Sequence, residues 1–363
     1  MDRLKVVFTG GGTGGHLYPA IAIAQALGPR AQVTFIGTAD RLEAKIVPQA
    51  GYPLITVRAA PAKRAYVNIA GYVQALRAVA RLKPDIVIAT GGYVGLPVVL
   101  AARTLRNLGM VKAKIALLEP NAHPGVTNRI VAPMVDEVWG AFAQADERFA
   151  NKYVRTGIPV RASLRALPSR DAALGRLGLS TQRSTLLAMG GSQGARSIND
   201  ALTSLLKSDG LPEGWQLIHV TGEQEYDRVK AALAAGPSNE AVRPYLNDVA
   251  DAYAAADLVL ARAGASTLGE LAATGRPAIL VPYPYATDDH QRANAAMVAQ
   301  TGAAVVVDDR ELIAGKLRGI LADVTRPSRL AELRAAAERE QAADPLTTIL
   351  ARVDALTMRK IAP

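Results

Sequence analysis

Short apolar runs alternate with stretches of helical periodicity along almost the whole chain. Leu4 to Phe8, Val33 to Gly37, Leu54 to Val57, Asp85 to Thr90, Lys114 to Leu118 and Glu137 to Trp139 make a first series of such runs. Thr185 to Met189, Leu217 to Thr221, Asp257 to Ala261, Ala278 to Pro282 and Ala303 to Val307 make a second. Strand-like runs separated by helical patterns such as Ala20 to Leu27 and Asn294 to Ala299 predict α/β domains with parallel sheets covered on both faces. Between the series, Pro159 to Arg183 is rich in Arg, Ser and Pro and marks the junction. Two Rossmann-like domains facing across a cleft are expected, 1–161 and 162–340. The helix predicted at Pro345 to Met358, within 341–363, can cross back to brace the first. No short-period repeat is present, which argues against a solenoid.

Composition narrows the class. At 363 residues, half of them hydrophobic and 20% charged, the chain suits a soluble protein of two cores. It has no cysteine, which excludes disulfides, thiolate metal sites and thiol nucleophiles. No leader pattern precedes the first strand, and no apolar stretch reaches the roughly 18 to 20 residues of a membrane span, so a cytosolic, non-spanning protein is expected. The net charge of +10 points to an anionic partner. With aromatics at 5% and no basic run interleaved with them, a lipid or phosphorylated substrate fits better than nucleic acid.

The candidate chemistry sits where strands end. Thr9-Gly10-Gly11-Gly12-Thr13-Gly14-Gly15-His16 reads as a strand, a glycine turn and a helix start, a combination that favours an anion, with His16 an ionisable group beside it. The same Gly10-x-Gly12-x-x-Gly15, with Asp40 after the next strand, also fits a dinucleotide fingerprint or a turn that merely packs strand on helix. Thr90 to Gly95 and Gly190-Gly191-Ser192-Gln193-Gly194-Ala195 are further strand-end glycine turns. Glu119 and Asn121 end another strand, where both can point at a ligand. In Arg262 to Glu270, helix-start amides can take a diphosphate and Glu270 a ribose, or Ser266 or Thr267 can cap the helix in a box completed by Glu270. On the loop Pro282 to Asn294, the Gln291 amide suits sugar hydroxyls. His290 with Asp288 and Asp289 is a poor metal site, because adjacent ligands cannot all reach one ion.

Taken together, Thr9 to His16, Thr90-Gly-Gly-Tyr-Val-Gly95, Glu119-x-Asn121 with Pro124, Gly125 and Asn128, Thr156-Gly-x-Pro-Val-Arg161, Gly190 to Ala195, Arg262-x-Gly-Ala-x-Thr-x-x-Glu270 and Asp289-His-Gln-x-x-Asn-Ala295 resemble, in order, the motifs of the MurG family. These are the bacterial N-acetylglucosaminyltransferases of peptidoglycan synthesis, in glycosyltransferase family 28, and the resemblance spans essentially the whole chain. It implies a GT-B fold. It also implies transfer, with inversion, of N-acetylglucosamine from UDP-N-acetylglucosamine to the C4 hydroxyl of the muramyl sugar of lipid I, giving lipid II. Donor contacts carried over residue by residue are Thr13, Gly14, Gly15, Asn121, Arg161, Ser192, Leu246, Ala265, Ser266, Thr267, Leu268, Gly269, Glu270 and Gln291. Two departures stand out: Pro120 where the family usually has Gln, and Ile158 where Asn is common.

Inverting transfer needs a base for the acceptor hydroxyl, and His16 is the first choice, with Glu119 in reserve. Helix-start amides around Ser192 and Gly264 to Ser266 would meet the charge on departing UDP, with no metal or other cofactor. A lipid-linked acceptor implies a peripheral enzyme on the cytoplasmic face of the membrane. Along Lys63 to Lys83, Ile69, Val73 and Leu76 share one helical face and Arg77 and Arg81 another, after Lys63 and Arg64, a pattern that fits docking on an anionic membrane surface or ordinary core packing. The competing functions are an NAD-dependent oxidoreductase, resting on the first glycine turn and Asp40, and a non-catalytic nucleotide-sugar binding protein.

Overall fold

The computed structural model describes residues 3–12, 14–60, 65–142, 147–149, 151–191, 194–234, 240–246, 248–341 and 344–358. The chain divides into two compact units, Met1–Arg161 with Ala343–Pro363, and Ala162–Ala342.

The first unit holds strands β1 (Leu4–Thr9), β2 (Ala31–Gly37), β3 (Leu54–Thr56), β4 (Ile86–Ala89), β5 (Lys114–Glu119), β6 (Glu137–Gly140) and β7 (Tyr153–Arg155). They form one parallel sheet in the order β3-β2-β1-β4-β5-β6-β7. The second unit holds β8 (Ser184–Met189), β9 (Trp215–Val220), β10 (Glu240–Arg243), β11 (Leu258–Ala261), β12 (Ala278–Leu280) and β13 (Ala304–Val306), again parallel, in the order β10-β9-β8-β11-β12-β13. In both sheets the order turns back at the centre, between β1 and β4 and between β8 and β11. The loops after those strands therefore open the crevice where parallel sheets take ligands.

The apolar runs are buried on both faces, as a parallel sheet requires. Along β4, Val87 and Ala89 join the cluster under the helices Ala65–Leu82 and Gly95–Asn107, whereas Ile86 and Ile88 join the one on the opposite face. That opposite cluster contains Leu17 and Ile23 of the helix Gly14–Leu27 and Leu346, Ile349 and Val353 of the helix Pro345–Thr357. Arg352 of the latter pairs with Glu137 at the start of β6.

A shared device fixes the opposite edge. An aspartate just before a strand accepts from a neighbouring strand's amide: Asp85 from Lys5 N–H at 2.8 Å, Asp136 from Ile115 N–H at 2.8 Å and Asp257 from Thr185 N–H at 2.9 Å. The first and last link corresponding strands of the two sheets. β7 and β10 were not foreseen; both are short edge strands with charged residues, Arg155 in one and Glu240 and Arg243 in the other, so neither shows the apolar run by which the edge strands β3 and β13 are recognised.

Candidate functional site

At the carboxyl edge of the first sheet, two glycine turns interlock. Gly11 N–H donates to Gly91 O at 3.3 Å, and a Cβ on Gly91, whose φ is +101°, would lie 2.6 Å from His16 Nδ1. The His16 ring therefore rests on bare backbone, at the start of the helix Gly14–Leu27, where Gly14, Gly15 and His16 are all half-buried. Thr13 lies outside the described residues.

The first turn does not present all its amides to a ligand. Gly12 N–H donates to Glu43 Oε2 at 2.9 Å, and Glu43 Oε1 accepts from the amide and hydroxyl of Thr38 at 3.0 and 2.7 Å. A protein carboxylate thus holds the position that the dinucleotide reading reserves for a phosphate, and Asp40, its ribose acid, is exposed. Sequence reasoning passed over Glu43. The available signal was a hydroxyl directly after the β2 glycine, with a glutamate five residues further on.

Glu119 ends β5 and is only 2% exposed. Its Oε1 accepts from the Asn121 amide at 2.9 Å and Asn121 Nδ2 at 3.1 Å; Oε2 accepts from the Gly125 amide at 3.2 Å and Asn128 Nδ2 at 2.7 Å. Burial pushes its carboxyl pKa up, and these donors pull partly the other way. Both oxygens are thus engaged by its own loop, and Glu119 braces residues 119–128. Pro120 fits there because the brace uses the amides of 121 and 125, not of 120. Ile158 is buried in the loop after β7, and the Arg161 guanidinium lies over the Tyr18 ring at 5.1 Å, which brings it to the helix that carries His16.

At the carboxyl edge of the second sheet, the turn after β8 is folded tightly enough that a Cβ on Gly194 would collide with the Thr221 carbonyl. Ser192 of that turn lies outside the described residues. The helix Ala265–Thr274 begins after Gly264, with no side-chain cap, so the capping box is not formed and Ser266 and Thr267 sit in the first turn. The first amide bonded back into the helix is Leu268 N–H, to Gly264 O at 3.0 Å, which leaves the amides of residues 265–267 without intrahelical acceptors. Leu268 and Gly269 are buried. Glu270, half-buried, accepts from the Tyr253 hydroxyl at 2.9 Å.

Gln291 belongs to the same place. Its Oε1 accepts from Tyr283 N–H at 3.0 Å, and its Nε2 lies 4.0 Å from where a Gly264 Cβ would stand. Beneath, buried Arg262 donates to the carbonyls of Val281 and Pro282 at 3.2 and 3.4 Å, pairs with Asp309 and lies 5.4 Å from the Tyr283 ring centroid. Asn294 Nδ2 donates to Ala263 O at 3.2 Å. The turn before the helix Ala265–Thr274 and the loop bearing Gln291 are therefore locked together, whereas Leu246 lies in the loop after the edge strand β10. Among the described residues, no group of three His, Cys, Asp or Glu side chains could hold a metal ion, His290 with Asp288 and Asp289 included.

In sequence, residues 6–139 match the glycosyltransferase family 28 N-terminal domain and residues 185–349 the glycosyltransferase family 28 C-terminal domain. The chain is 42% identical over 354 residues, 92% of its length and 94% of the relative's, to the UDP-N-acetylglucosamine–N-acetylmuramyl-(pentapeptide) pyrophosphoryl-undecaprenol N-acetylglucosamine transferase of Moorella thermoacetica. Among solved structures it is similar to Acinetobacter baumannii MurG, with a TM-score of 0.78 and 27% identity over 97% of this chain and 99% of that one. It is also similar to the calicheamicin glycosyltransferase CalG4, with a TM-score of 0.71 and full coverage of both chains, but at 15% identity that likeness shows the fold alone.

Proposed function

This chain belongs to glycosyltransferase family 28, and we propose that it transfers N-acetylglucosamine from UDP-N-acetylglucosamine to the C4 hydroxyl of the muramyl sugar of lipid I, with inversion, to give lipid II. Its two parallel-sheet units are of the GT-B class. The observation that carries the reading is the constellation after β11 and β12: first-turn amides of the helix Ala265–Thr274, the Glu270 carboxylate and the Gln291 amide, held together by Arg262 and Asn294.

Amides at a helix start stabilise the diphosphate and the charge that develops on departing UDP. Glu270 accepts from ribose hydroxyls and Gln291 both donates and accepts at the sugar. In this reading the second unit binds the donor, with Ser192 and Leu246 completing its contacts. The first unit serves the acceptor and the membrane, and contributes Thr13, Gly14, Gly15, Asn121 and Arg161. His16 is the general base, taking the proton from the attacking hydroxyl; Glu119 is spent on its own loop.

The acceptor is lipid-linked, so we place the enzyme peripherally on the cytoplasmic face of the membrane. No helix among the described residues is long and apolar enough to cross a membrane. On the helix Ala65–Leu82, Ile69 is 64% and Val73 41% exposed, with Arg77 and Arg81 also in solvent. Leu76 packs against the core and drops out of the stripe, and Lys63 and Arg64 lie outside the described residues.

Incubation with UDP-N-acetylglucosamine and a lipid I analogue should release UDP and form the disaccharide; binding without turnover would leave only a nucleotide-sugar binding protein. His16→Ala should lower kcat roughly 10²- to 10⁴-fold with a smaller change in donor affinity. A loss confined to donor binding would remove His16 from proton transfer.

A further inference from the structure

Glu43 is 1% exposed, on the helix Leu42–Gln49, and three donors converge on it: the amide of Gly12 and the amide and hydroxyl of Thr38. A Cβ on Gly11 would lie 2.5 Å from Glu43 Oε2, and one on Gly37 would lie 2.7 Å from Glu43 Cγ. The side chain is thus clasped between two stretches of bare backbone, the first glycine turn and the end of β2. On its far side the same turn bonds Gly91 through the Gly11 amide, and Gly91 carries the His16 ring. Burying a carboxylate costs far more than burying an apolar side chain of that size, so what the position uses is acceptor capacity, aimed at a loop amide.

We propose that Glu43 is a positioning residue for the transfer reaction: by tying the first glycine turn to Thr38, it sets where that turn meets Gly91 and so where His16 stands over the acceptor. The inference deepens the reading of His16 as the base and rests on it. Glu43→Gln puts an N–H₂ group against donors and breaks the tie on one side. Glu43→Asp keeps the charge but withdraws it by one methylene, so it no longer reaches both Gly12 and Thr38.

The test measures UDP release by the full chain with a lipid I analogue, for Glu43→Gln, His16→Ala and the double variant, with thermal unfolding alongside. Misplacement of a reacting group by about 1 Å can cost on the order of 10²-fold, so Glu43→Gln should lower kcat between roughly 10- and 100-fold while donor KM stays within about twofold. In the His16→Ala background the same change should cost less than about twofold more, since the group it positions is gone. An equal loss in both backgrounds, an unchanged kcat, or a donor KM that rises in step would overturn the proposal while leaving His16 as the base. A His16→Ala variant with normal kcat would instead overturn the base assignment, and this proposal with it. If Glu43→Gln does not fold, Glu43→Asp is held to the same outcomes.

Discussion

Glu270→Ala probes the proposed donor subsite most directly, because the structure supplies the control. The Tyr253 hydroxyl, 2.9 Å away and on a buried ring, holds one carboxylate oxygen and fixes the direction the group faces. A hydrogen bond from ribose to an ionised carboxylate is worth about 1.5 to 3 kcal/mol, so deleting the acceptor should raise donor Kd and KM roughly 10- to 150-fold. The truncation also removes the hydrogen bond from the Tyr253 hydroxyl, at a further cost of about 0.5 to 1.5 kcal/mol in folding stability. Tyr253→Phe deletes the same hydrogen bond from the other side. It should lower thermal stability by a comparable amount while leaving donor affinity within about twofold. Calorimetric titration with UDP-N-acetylglucosamine and steady-state UDP release read the two quantities separately. A folded Glu270→Ala protein with unchanged donor Kd would refute the ribose contact, and an equal loss of affinity in Tyr253→Phe would make Glu270 a purely structural partner of Tyr253.

Replacing Ile69 and Val73 by Ser should reduce co-sedimentation with anionic liposomes, and more so as salt rises, yet spare turnover on a short-chain soluble acceptor; loss of both activities together would move the docking surface elsewhere. His219, fully buried on β9, has its pKa pushed down to about 4 by desolvation, so the unfolded chain binds its proton more readily. Stability present above the unfolded value of 6.5 should be lost as pH falls through about 4, by up to roughly 3 kcal/mol. His219→Gln should flatten the fall in melting temperature over that window, and an identical slope in the variant would exclude His219 as its source. If helix-start amides meet the diphosphate charge as proposed, UDP release should persist in EDTA; activity abolished by chelation and restored only by magnesium would show otherwise.

The central strands were legible because each is buried on both faces and so appears as an unbroken apolar run, as at Ile86 to Ala89. β7 and β10 were not, since these short edge strands are interrupted by Arg155 and by Glu240 and Arg243 and display no apolar run. Glycine turns announced where ligands should approach, but not which amides were still available. Glu43 sits in an ordinary helical pattern, and only the fold carries it back to Gly12. Glu119 illustrates the same limit: its place at a strand end was legible, but not that Asn121 and Asn128 both donate to it. Ser266 and Thr267 satisfied a capping pattern that the backbone declined by placing the N-cap at Gly264, two residues before Ser266 and three before Thr267.

The helix Pro345–Thr357 belongs to the first unit although the second is spelled out before it. On the ribosome, residues 162–342 emerge as one contiguous stretch and can close their core at once. The first unit waits: the helix Gly14–Leu27 covers part of one sheet face early, but the part that receives Leu346, Ile349 and Val353 stays open until synthesis has passed Thr357. A nascent chain stalled before that point would carry an open apolar surface, which makes the last helix a completion signal for the half of the molecule that was begun first.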